Sequence, residues 1–162
     1  MTSLPLHPAI VHLPLGLAFI LPVLAIGFLW ALWTNRVRPR AWLTIVALQA
    51  VLVSGGLLAM NTGEREEDRV ETVVPDAALE QHEAYAEQFV WAAAITWLVA
   101  GLVLVVRHQG AARGLAVATV AGTVIVAAAA LRVGHAGGRL VYVHNAGAAY
   151  AGPADLSRDA ER

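Results

Sequence analysis

His7-Pro8-Ala9-Ile10-Val11-His12-Leu13-Pro14-Leu15-Gly16 opens an apolar stretch that continues to Trp33 without an acidic residue, a lysine or an arginine. Its length exceeds the roughly 20 residues that an α-helix needs to cross a bilayer. No basic residue precedes it, so the expectation is a resident first span rather than a cleaved leader. Two imidazoles at the mouth of a membrane segment are a functional hypothesis by default, because an ionisable ring is costly there.

The rest of the chain repeats the apolar theme. Of 162 residues, 58% are hydrophobic and only 14% charged, with a mean hydropathy of +0.62. Soluble domains are more polar than this. Apolar segments can be drawn over residues 8–33, 41–60, 84–106 and 115–133. The expected fold class is all-α, a membrane four-helix bundle, with residues 1–150 as the transmembrane domain and 151–162 as a polar C-terminal tail. Residues 61–75 read as the one long loop, and no internal repeat is evident. Ser54, Gly55, Gly56, Gly101 and Gly122 are small residues suited to close helix contacts, and Gln49 to an interhelical hydrogen bond. Pro22 is expected to kink the first helix. Asp76, after Pro75, is expected to cap an extended third helix. The pair Gly137-Gly138 predicts a break beyond the fourth segment.

Charge is segregated along the chain. All 11 basic residues are arginine. Arg36, Arg38 and Arg40 fall in the first connection, and Arg107 and Arg113 in the third. The second connection and the start of the third segment carry Glu64, Glu66, Glu67, Asp68, Glu71, Asp76, Glu80, Glu83 and Glu87. Compact arginine loops favour the cytoplasm. Both termini and the acidic stretch are then expected outside, on the periplasmic face of a bacterial inner membrane. Trp30, Trp33 and Trp42 are expected to form an aromatic belt at the cytoplasmic face. The chain has no cysteine, which removes thiolate metal sites, disulfides and cysteine nucleophiles. It shows no phosphate-binding glycine loop, no serine nucleophile with a base and no nucleic-acid signature.

Alternating helix direction groups the histidines. His7, His12, His82, His135 and His144 fall at one end of the bundle, and His108 sits in an arginine-rich connection at the other. On a regular helix His7 and His12 differ by about 140° and about 7.5 Å of rise, so they do not chelate one metal side by side. His12 shares a face with Gly16, Phe19 and Val23, read as an inward stripe. His7 precedes Pro8 and is assigned to a cap or to a supporting position behind the ligands. His82 shares a face with Ala86, Phe89, Ala93, Thr96 and Ala100.

The opening motif 7–16 and the ending Gly134-His135-Ala136-Gly137-Gly138-Arg139-Leu140-Val141-Tyr142, followed by His144, resemble a bacterial family of four-helix membrane proteins of unknown function. His82 with Glu83 resembles a third family position, and the likeness covers residues 6–147. Some members of that family are fused to Rieske iron–sulfur domains, which implies a redox setting. The sequence departs from the pattern at Asn145, where glycine is commoner.

These observations lead to one favoured reading and two alternatives. The favoured one is a membrane electron-transfer protein holding a b-type haem between histidines at the outer end. Axial imidazoles on facing helices are a known way for a bundle to bind haem. The candidate cofactor residues are His12, His82, His135 and His144, then His7, with Arg139 or Arg132 available to pair with propionates. The first alternative is zinc or copper on His12, His82, His135 and His144, with Glu80 or Glu83. The second is structural: imidazoles tying the outer helix ends together without a cofactor. Implied partners are the lipid bilayer and a redox protein on the outer side, with no nucleic acid; oligomerisation is left open.

Overall fold

The computed structural model describes residues 5–150, so the tail expected over 151–162 lies outside the described residues. All regular structure among them is helical. A short helix, α1 (His7–Ile10), runs through Val11 into α2 (His12–Trp33). A 3₁₀ turn over Pro39–Trp42 leads into α3 (Leu43–Val70), followed by α4 (Asp76–Val105) and α5 (Gln109–Tyr142). A second 3₁₀ turn covers Ala146–Tyr150. Four of these units are long and apolar enough to cross a membrane, and the chain is a multi-pass membrane protein. Helix α2 packs on α3 and α5, and α4 packs on the same two. The result is an up-down-up-down bundle with α2 and α4 on one diagonal.

Helix ends follow local chemistry. Pro8 sits in the first turn of α1, where its missing N–H costs nothing. His7 is therefore the first helical residue and not a cap outside the helix. α2 stops at Asn35, which takes φ 54°. The Asn35 and Arg36 N–H groups bond back to Leu32 and Ala31, a pattern that satisfies the last carbonyls. Asn145 takes φ 53°, a backbone region tolerated by asparagine as well as glycine. The asparagine thus supplies the turn a glycine would.

The stretch 61–75, expected as a loop, is mostly helix. α3 continues to Val70 because no proline or glycine follows Gly63 until Pro75, and Glu and Arg are good helix formers. The break expected at Gly137-Gly138 is also absent, and α5 passes through both to Tyr142. An interior glycine costs only about 1 kcal/mol relative to alanine, which a long packed helix absorbs. The acid-rich α4 begins at Asp76 as expected, with Pro75 rather than Asp76 in the cap position.

Which face points inward was misjudged for α2. Pro14, Ala18, Leu21 and Ala25 are buried, whereas His12, Gly16, Phe19 and Val23 are exposed. A helix apolar all round carries no amphipathic signal, and small residues, not large ones, mark a membrane helix contact. On α4 the expected stripe holds: Phe89, Ala93, Thr96 and Ala100 are buried. Close approaches follow the small residues. A Cβ on Gly55 would stand 3.3 Å from Pro14, one on Gly56 3.1 Å from Val90, and one on Gly122 2.7 Å from Thr96. Ser54 is exposed and Gly101 has nothing within 4 Å, so neither serves a contact. Trp42 leaves the expected belt for the core, where its indole N–H donates to the Ala100 carbonyl at 3.1 Å. Trp30 and Trp33 are exposed, with the Arg36 guanidinium 4.5 Å over the Trp30 ring.

Burial reveals an internal repeat that residue identity conceals. The buried positions of α2, namely Pro14, Ala18, Leu21 and Ala25, recur 75 residues later as Phe89, Ala93, Thr96 and Ala100. Those of α3, Ile45, Gln49 and Leu52, recur 74 residues later as Thr119, Thr123 and Val126. Together with the packing order, this relates the α2–α3 hairpin to the α4–α5 hairpin by the register of burial. Few side chains are conserved between the halves, so the repeat lives in the register of burial.

Candidate cofactor site

The repeat brings two histidines together. His7 on α1 and His82 on α4 are also 75 residues apart, and they come from diagonally opposed helices. Their ring centroids lie 6.2 Å apart, with the ring planes at 90°.

Each ring lies against a glycine on the second helix of its own hairpin. His7 Nδ1 donates to the Ala59 carbonyl at 2.8 Å. Its ring lies over Gly63, where a Cβ would meet Cε1 at 3.3 Å. His82 lies over Gly137, where a Cβ would meet Cε1 at 3.1 Å. Ala59 and Gly63 are one helical turn apart, as are Val133 and Gly137, and the two pairs are repeat equivalents. Two glycines therefore act as seats for two imidazoles. Gly137, read from sequence as a helix breaker, is such a seat.

The hydrogen bonds fix the chemistry on offer. A carbonyl accepts only from an N–H, so the His7 proton sits on Nδ1 and Nε2 keeps a lone pair in the neutral ring. Thr62 Oγ1 stands 3.5 Å from the same Nδ1 and donates to the Ala59 carbonyl at 2.9 Å. His82 Nδ1 is buried and has no hydrogen-bond partner. A buried polar atom left unpaired costs about 1–3 kcal/mol. His7 thus uses Nδ1 on the backbone and keeps Nε2 for something else, and the His82 Nδ1 is enclosed without a partner.

The remaining sequence candidates are dispersed. His12 and His135 are exposed. His144 is half-buried, and its Nε2 is enclosed without a partner. It lines a separate cavity with Arg139, while Arg132 is exposed outside it. Glu80 and Glu83 line an acidic cleft with Glu67, Glu71 and Asp76. Among the described residues no three histidine or carboxylate groups are arranged to hold a metal ion. At the opposite end His108 caps α5, its Nδ1 accepting the Ala111 N–H at 3.2 Å, a local role that a loop assignment had not foreseen.

Beyond α5, Tyr150 donates a hydrogen bond to the Glu66 carboxylate, and the Arg69 guanidinium lies 5.2 Å over its ring. Burial, together with the Glu66 carboxylate, pushes the phenol up to about 12. This ties the C-terminal 3₁₀ turn to α3. Sequence reasoning missed this tie and both glycine seats.

Comparison with models of known protein families, with curated proteins and with solved structures returns no match to this chain.

Proposed function

We propose that this chain is an integral membrane electron-transfer protein that binds one b-type haem at the histidine end of its bundle, with His7 and His82 as axial ligands. The carrying observation is the His7–His82 pair, seated equivalently on Gly63 and Gly137. The pair stands at 6.2 Å. His7 has one nitrogen on a backbone carbonyl, the arrangement that orients metal-bound histidines. The unpartnered His82 Nδ1 is the buried polar atom such a ligand would satisfy.

A two-histidine site suits haem better than zinc or copper. Haem brings its own equatorial nitrogens and asks the protein for only two axial ligands. A zinc site takes three or four ligands from the protein, and no such group occurs among the described residues. When bound, haem supplies a one-electron ferric–ferrous couple. The chain's own contribution is to fix the His7 tautomer through the Ala59 carbonyl and to place both imidazoles where four helices converge.

The arginine-rich connections lie together at the end opposite the histidines. That distribution supports an inner-membrane protein with its histidine end and both termini on the periplasmic side. The acidic cleft of Glu67, Glu71, Asp76, Glu80 and Glu83 beside the site would attract a basic redox partner.

The test is the purified chain, produced with haem supply. The expected result is one haem per chain, with a Soret band and an α-band on reduction. Colourless protein with stoichiometric zinc or copper by elemental analysis would replace haem with a metal site. Colourless, metal-free, folded protein would leave the histidines as helix ties.

A further inference from the structure

A second site lies beside the histidine pair and is independent of it. Between the start of α4 and the last turns of α5 is a cavity of about 310 Å³. Gln81 and Ala136 line it, and the next residues in sequence, His82 and Gly137, belong to the pair. Its walls are largely apolar, with Ala78 and Leu140 among them, and none of its lining residues is acidic. The acids of α4 face the other cleft, toward α3. Arg139, an exposed residue, and His144, whose enclosed Nε2 has no partner, complete the lining. The first turn of α4, with Ala77 on the wall, adds the positive end of a 30-residue helix.

The repeat shows that this chemistry is not a by-product of the fold. The α3 positions equivalent to Arg139 and His144 are Arg65 and Val70. Only one half of the bundle pairs an arginine with a histidine.

We propose that this cavity binds the phosphate of a membrane lipid headgroup, held by Arg139 and His144, with the apolar walls against the glycerol and upper acyl carbons. Two donors, a helix N-terminus and no acid define an oxyanion site. Depth selects the source. From Arg113 a 30 Å hydrocarbon core reaches about as far as Arg132, and Arg139 stands about 10 Å further along α5, at headgroup level. A carboxylate or phosphate in solution has the same charge, but the apolar walls give it nothing to bury.

The test is phosphatidylglycerol titrated into the full-length chain in neutral detergent, with adducts counted by native mass spectrometry. One tight site is expected. Arg139→Gln weakens it about tenfold or more, the loss expected for one charge-assisted hydrogen bond. His144→Gln weakens it in the same direction, and serves alone if the arginine variant does not fold. Arg132→Gln, on the same helix but outside the cavity, leaves the affinity within about twofold. Diacylglycerol with the same acyl chains does not occupy the site. Equal losses in Arg132→Gln and Arg139→Gln would reduce the effect to general charge and overturn the proposal. Binding of diacylglycerol with undiminished affinity would overturn it as well. Displacement of the lipid by millimolar inorganic phosphate would move the site to a soluble ligand and overturn the lipid assignment.

Discussion

Three glycines within five residues of α5 give a stability experiment with its own controls. A Cβ added at Gly134 or Gly138 meets nothing within 4 Å, whereas one at Gly137 stands 3.1 Å from His82 Cε1 and 3.6 Å from Nδ1. All three lie in one continuous helix. Each glycine-to-alanine change gains the same helix propensity, about 0.8–1.0 kcal/mol. Gly134→Ala and Gly138→Ala should therefore stabilise the protein and raise its melting temperature by about 2–4 °C. Gly137→Ala has to push the His82 ring aside by a few tenths of an ångström, and overpacking of a filled site costs about 1–3 kcal/mol. Its net effect lies between neutral and about 2 kcal/mol destabilising, below both neighbours in every case. Thermal unfolding in detergent, followed by circular dichroism, gives the ranking directly. If Gly137→Ala stabilises as much as Gly138→Ala, His82 does not sit on that glycine and the account of the site fails.

Gln49 is fully buried, and neither its amide nitrogen nor its oxygen has a partner; Gln49→Leu should raise stability by about 1–3 kcal/mol in denaturation, and a loss would show that the amide is satisfied by a ligand or water. Tyr150 should titrate near 12 in an ultraviolet absorbance titration, and Glu66→Gln should bring it down toward its ordinary value near 10. Because the folded-state value lies above the unfolded one, the tie is fully present below about pH 10 and is lost as pH rises toward 12. A Tyr150 titration unchanged by Glu66→Gln would disprove that tie.

The apolar segments made the four helices legible, since only intrahelical hydrogen bonding satisfies a backbone inside lipid. Grouping of the histidines at one end also followed from alternating direction alone. Their partners did not. His12 looked inward because α2 is apolar on all sides, so nothing in its residues distinguishes lipid from core, and His7 looked like a cap because it precedes Pro8. Burial settled the matter: Ala18 and Ala25 face the axis, and Phe19 and Val23 face out. The extensions of α3 and α5 were hidden by charge in one case and by glycines in the other. Polar residues past a membrane surface continue a helix as readily as they form a loop. The repeat was invisible because the two halves conserve positions and not residues: Gln49 answers to Thr123, Leu21 to Thr96.

The measurement that bears most directly on the central claim compares the reduced-minus-oxidised absorption spectra of the purified wild-type chain and three variants. His7→Ala and His82→Ala should each abolish the Soret and α-bands while leaving helix content intact. His12→Ala, on the exposed face, should keep both bands. Bands that persist in His7→Ala and His82→Ala, or vanish in His12→Ala alone, would contradict the His7–His82 pair as the haem site.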